Sequence, residues 1–189
     1  MTVAEINREL YAATREKILQ LGYPLDDAAT MKAFEPYLVV GSGMIAVVYP
    51  ESGKGAVLRT YMAAFNSLFI ACDDVFAEDP DRISIFNNRF VQGLPQDDLL
   101  LEACARCLQE LPKYWDPIMA DMLRQSTMAF MTSLAIEYRL KDANLSSSDT
   151  QLARSLRDMT AAGMLYALWM FPPNTTPELY LPVSQIISH

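Results

Sequence analysis

The chain has 189 residues, 51% of them hydrophobic and 20% charged, enough apolar mass for one sizeable core, so a single globular domain is expected. Its 15 basic residues against 23 acidic ones leave a net charge of -8, which argues against a nucleic-acid backbone as partner. The opening MTVAEINREL carries Glu5 and Glu9 and lacks the basic start and apolar block of a secretory signal, so a soluble cytoplasmic protein is expected.

Apolar residues recur at steps of three and four almost throughout, which predicts an all-α fold. In chain order, helices are expected at about 3–20, 28–39, 42–49, 54–77, 81–92, 96–111, 113–140, 148–171 and 177–187. The breaks fall at Pro24, Pro50 with Gly53, Pro80, Gly93 with Pro95, the NLSSSD stretch at 144–149, and Pro172 with Pro173. Ser147 or Ser148 is the expected N-cap of the helix after that stretch. YLVV and MIAVVYP could be strands, but each is too isolated to build a sheet. Asn66 and the acids interrupt the most apolar run, so no membrane span is expected. The long helices at 54–77, 113–140 and 148–171 can flank a deep cavity, as in a large helical bundle.

Cys72, Cys104 and Cys107 are an odd count without a disulfide framework, which favours a reducing compartment. CARC, residues 104–107, has the spacing of a redox pair or half a zinc site, yet it lies inside LLLEACARCLQEL. With Cys72 and His189 as the remaining ligand candidates, a buried helical face is the favoured reading.

Three aspartate pairs occur, and two have a structural explanation. Asp26–Asp27 and Asp97–Asp98 precede helical runs, where aspartate caps free N–H groups. The middle pair, in YMAAFNSLFIACDDVFAED, closes a helix at its negative end, with Arg82 the one cation close by in sequence. At 3.6 residues per turn Asp74 and Glu78 share a face, while Asp73 follows Tyr61, Phe65 and Phe69 at steps of four. Two readings fit: an aromatic wall with a carboxylate lip that takes Mg2+ or Mn2+, or core aromatics leading into a solvated acidic turn.

From about residue 35 onward the sequence resembles the class I terpene cyclases, in particular the trichodiene synthase-like fungal group. The resemblance rests on SLFIACDDVFAEDP, on STMAFMTSLAIEYRL at 126–140, and on LARSLRDMTAAGMLYALWMFPP at 152–173. It implies a terpenoid synthase-like helical bundle and Mg2+-dependent ionisation and cyclisation of farnesyl diphosphate or a similar prenyl diphosphate. Asp73 and Asp74 are then metal ligands with Glu78 as third acid, and Arg157 senses the diphosphate. Thr160 is the linker before the effector position Ala161, and Tyr61, Phe65, Phe69 and Trp169 line the cavity.

The pattern departs from the family in two places. The family's D-D-x-x-D/E spacing wants an acid at 77, where Ala77 stands, so Glu78 is displaced by one residue. The second metal motif, N-D-x-x-S-x-x-x-E, is absent from these residues. That implies one partial synthase domain, residues 1–189, lacking its C-terminal helices. An alternative is a catalytically inactive helical protein that keeps the fold and binds a hydrophobic or diphosphate ligand, or a partner chain. Apolar faces left uncovered on 113–140 and 148–171 predict self-association, as a homodimer or aggregate.

Overall fold

Local signals set the helix starts, and the computed structural model, which describes residues 3–49, 55–76, 79–141, 150–159 and 162–187, shows how. The order is α1 (Val3–Gln20), α2 (Ala28–Val48), α3 (Gly55–Val75), α4 (Pro80–Ser84), α5 (Phe86–Val91), α6 (Leu99–Gln109), a 3-10 turn (Leu111–Lys113), α7 (Pro117–Leu140), α8 (Thr150–Met159), α9 (Ala162–Trp169) and α10 (Pro177–Ile187). Among the described residues there is no strand, so the fold is all-α. They sort into two compact units, Met1–Val75 with Gln96–Gln109, and Phe76–Pro95 with Glu110–His189.

In the first unit α1, α2 and α6 pack on α3. Gly22, at φ 91°, ends α1: its N–H reaches the Leu19 carbonyl at 2.9 Å and that of Tyr23 reaches Ile18 at 3.2 Å, a left-handed glycine stop. Asp27 opens α2, its Oδ2 accepting from the Thr30 N–H at 2.8 Å, and this bond holds the Asp27 carboxyl below its ordinary value. Asp98 opens α6 by accepting from the N–H groups of Leu100 (2.8 Å) and Leu101 (3.3 Å). Both flanking aspartate pairs therefore contribute a cap, as their positions in the sequence predict.

The sequence predicts a break between 39 and 42 where the structure has one continuous helix. The reason is tertiary: at Gly41 the backbone of α2 lies against α3, so that a Cβ there would stand 2.8 Å from Ser67 N and 3.0 Å from Ala63 O. Glycine lowers helix propensity, but here it permits a close crossing that larger residues would block. Asn66 is likewise accommodated on this interface, its Nδ2 3.2 Å from the Met44 sulfur.

By length and composition alone α2 and α3 are each long and apolar enough to cross a membrane, which revises the expectation that no run reaches that length. The apolar window of α3 is 72% buried within the fold, as in a core helix of a water-soluble domain, whereas that of α2 is 28% buried.

In the second unit α4, α5 and α9 pack on α7. Asp116 caps α7, with Pro117 at the first helical position, its Oδ1 accepting from Ile118 N at 3.0 Å and Met119 N at 3.3 Å. The expected helix 113–140 starts later for that reason, after a separate 3-10 turn. The expected helix 81–92 is two short helices that meet at Ile85. Residues 148–171 contain α8 and α9; the Ser147 and Ser148 cap lies outside the described residues.

Gly41→Ala should destabilise the fold by about 1–3 kcal/mol through overpacking at the α2–α3 crossing. At Gly43 an added Cβ would meet nothing within 4 Å, so Gly43→Ala should gain up to about 1 kcal/mol from helix propensity. Denaturant midpoints of the two variants check the contrast; equal midpoints would refute the close crossing.

Candidate functional site

Helix α3 buries the residues that the sequence arranges as an aromatic stripe. Tyr61 is fully buried, Phe65 2% exposed and Phe69 6% exposed. The Tyr61 and Phe65 rings lie 6.3 Å apart between centroids, those of Phe65 and Phe69 4.4 Å. The hydroxyl of Tyr61 donates to the Cys107 carbonyl at 2.8 Å, tying α3 to α6. The steps of four thus describe one continuous packed stripe, as the helical period requires.

The stripe ends in Asp73 and Asp74, both exposed, in a last turn that contains no basic residue. Partial desolvation, followed by the charge of Asp74, pushes the Asp73 carboxyl above its ordinary value. Tyr37 of α2 stands beside Asp74: burial, the Asp74 charge and a hydrogen bond to that carboxylate raise the Tyr37 phenol. Sequence spacing gave no sign of Tyr37, because its approach depends on how α2 crosses α3. Arg82, the cation nearest in sequence, pairs with Asp79 at 3.7 Å in the second unit.

Among the described residues no group of three His, Cys, Asp or Glu stands together as a metal cluster. Glu78, Thr160 and Ala161 lie outside the described residues. What remains is an adjacent pair of exposed carboxylates under mutual repulsion. That donor set fits Mg2+, which takes one or two carboxylates and fills its other positions with water or phosphate oxygens. Arg157 belongs to α8, and Trp169, fully buried, ends α9, both in the second unit. The Trp169 ring meets Tyr166 edge-on at 5.6 Å.

CARC forms a buried face of α6, with Cys104 and Cys107 fully buried, so the helical reading holds. The Cys104 sulfur stands 3.5 Å from that of Cys72. Burial, with Cys72 next in weight, pushes the Cys104 thiol well above its ordinary value.

The second unit contains a cavity of about 150 Å3 between α4–α5 and α7, with Ile83, Met131 and Ile136 as apolar wall and Asn87 and Arg139 as polar members. Asn87 Nδ2 donates to the Met128 carbonyl at 2.8 Å and to Thr132 Oγ1 at 2.9 Å, and Arg139 reaches Asp81 at 3.4 Å. None of the four aromatic residues expected as a cavity wall lines it.

With this geometry in view, the chain is similar to several fungal terpene synthases. It is 24% identical over 183 residues to the alpha-cuprenene synthase of Coprinopsis cinerea, covering 95% of this chain and 54% of that one. It is 28% identical over 160 residues to the (E)-beta farnesene synthase of Metarhizium brunneum, covering 84% and 46% respectively. A longiborneol synthase of Gibberella zeae is 28% identical over 134 residues, 68% of this chain and 40% of the relative. No family model matches. The chain spans about half the length of the curated relatives it matches. The likeness supports the terpene synthase family; it does not reach the narrower trichodiene synthase-like group.

Two outcomes test the site's physical description. Tyr61→Phe should cost about 0.5–1.5 kcal/mol, the net worth of one buried hydrogen bond, read from the denaturant midpoint. An unchanged midpoint would detach Tyr61 from the α3–α6 interface. Asp73→Asn should raise Tm by about 1–4 °C at pH 7 in EDTA, because it removes one of two repelling charges at a negative helix end. A raised folded-state value means that the wild-type carboxyl loses stability as pH rises through it. The variant's advantage should therefore vanish below the ordinary carboxylate value of 3.8. A lower Tm for the variant at pH 7 would contradict repulsion between Asp73 and Asp74.

Proposed function

We propose that the chain is the part of a terpene cyclase that binds the diphosphate of farnesyl diphosphate or a similar prenyl diphosphate. The observation that carries this reading is the Asp73–Asp74 pair, exposed in a last turn that itself contains no basic residue, at the end of a helix rich in buried aromatic rings. Similarity to fungal terpene synthases over most of the chain supports it.

Asp73 and Asp74, with Glu78, would hold Mg2+, for which Mn2+ can substitute on the same hard oxygen donors. When bound, the metal supplies Lewis-acid neutralisation of the diphosphate as it leaves. Arg157 would donate its guanidinium fork to diphosphate oxygens, with Thr160 and Ala161 on the segment that follows. Tyr61, Phe65, Phe69 and Trp169 would offer ring faces and exclude water from the allylic cation left behind. For the three α3 rings this requires one face of their packing to be shared with the substrate chain.

Ala77, standing where the D-D-x-x-D/E spacing wants an acid, favours one further reading: a helical protein that binds diphosphate or a hydrophobic ligand without turning it over. Titration calorimetry of Mg2+ with inorganic diphosphate should show affinity weakened at least tenfold when Asp73→Asn and Asp74→Asn are combined. Equal isotherms for wild type and variant would overturn the metal site in both readings. Arg157→Lys keeps the charge but loses the fork, so diphosphate affinity should fall by about tenfold, the scale of one charge-assisted bond. Incubation with farnesyl diphosphate and Mg2+, followed by analysis of volatiles, separates the two readings: cyclic product supports the cyclase, and binding without product the inactive form.

A further inference from the structure

We propose that Cys72 and Cys104 are a modification site: a dithiol that oxidises to a disulfide and fastens the aspartate-bearing end of α3 to α6. The inference goes beyond the cyclase reading and does not depend on which ligand the aspartates hold. The two sulfurs face each other at 3.5 Å across packed helices, and both cysteines are fully buried and free. A disulfide has an S–S length of about 2.04 Å, so the sulfurs must close by roughly 1.5 Å, within reach of side-chain rotation and a small helix adjustment. They are 32 residues apart in sequence, so the bond would add a covalent link between two elements otherwise joined by packing and the Tyr61–Cys107 hydrogen bond.

Burial shields the pair from oxidants while α3 is intact, and the sequence of α3 supplies the way in. Cys72 is followed at once by exposed Asp73 and Asp74, in a last turn with no basic residue. Acidic charge at the negative end of a helix weakens that turn, and helix ends open at far lower cost than the core. Fraying of this one turn uncovers Cys72 while the stripe above it stays packed.

The oxidant is a small-molecule disulfide. The Cys72 thiolate attacks one of its sulfurs, expelling one small thiol and leaving a mixed disulfide on Cys72. Cys104 then attacks the Cys72 sulfur, its proton passing to the departing sulfur, and the second small thiol is expelled. Two protein thiols lose two electrons and become one S–S bond; the small disulfide gains them and leaves as two thiols carrying the two protons. Once formed, the bond holds the final turn of α3 against α6 and suppresses the fraying that admitted the oxidant.

The test uses the folded chain with oxidised glutathione as probe, under conditions where circular dichroism shows no unfolding. Expected are the loss of two of the three free thiols, an intact mass lower by two hydrogens, and a peptide map joining Cys72 to Cys104. Hydrogen exchange at residues 70–76 should slow on oxidation and recover with a reductant. Cys107→Ala should still form the bond, and Cys72→Ala and Cys104→Ala should not; the map on the unaltered chain decides even if an alanine variant fails to fold. A link between Cys104 and Cys107, stable glutathione adducts, thiols that react only on global unfolding, or unchanged exchange at 70–76 would each overturn the proposal.

Discussion

Burial of α3 on almost all sides is the constraint on which the first unit depends. A helix carrying Leu58, Met62, Phe65, Leu68 and Phe69 cannot face water, and α1, α2 and α6 must converge on it. Convergence of three helices on one demands close approach, and Gly41 of α2 provides it where Ser67 and Ala63 stand. It also demands that polar groups inside the contact be satisfied. Tyr61 donates to the Cys107 carbonyl, Ser67 to Ala63, and Asn66 reaches the Met44 sulfur. These bonds let a helix with a tyrosine, a serine and an asparagine serve as core.

The same helix leaves its electrostatic cost at one end. Its dipole terminates in Asp73 and Asp74 rather than in a lysine or arginine, and desolvation against the fold adds to the repulsion felt by Asp73. Elsewhere the chain places acids where they stabilise: Asp27, Asp98 and Asp116 each cap a helix start. Most of its helix-boundary acids therefore follow the rule that the α3 pair breaks. Departures of this kind from local consistency are expected at functional or strained sites.

Much of this was legible in the sequence, and the residues show why some was not. Helix starts announced by Asp27, and stops announced by Pro24 or Pro172, act through local chemistry and can be read locally. The continuity of α2 through Gly41 could not, because two glycines in VVGSGM look like a break until Ser67 is known to face one of them. The end of α1 at Gln20 falls where expected, although the residue that makes the left-handed stop is Gly22, two before the more conspicuous Pro24. At the candidate site the acid pair and the aromatic stripe were visible as steps of four along one helix. Tyr37 beside Asp74 and Cys104 beside Cys72 were not, since each approach is made by a second helix whose crossing no periodicity encodes.

Placing the acids on the last turn of a largely buried helix has a mechanical consequence. A carboxylate pair on a loop could relax apart; at the end of α3 the two are held by a helix that cannot shift without disturbing the Tyr61 bond and the Phe65–Phe69 contact. Relaxation is then confined to the turn itself, between Phe69 and Phe76, which are both packed. Within that turn Cys72 is fully buried although the two residues after it are exposed. Any cation bound by Asp73 and Asp74 would act on this one turn, drawing together charges that otherwise weaken it. Such binding would link the ligand to the order of the α3 terminus through a single short segment.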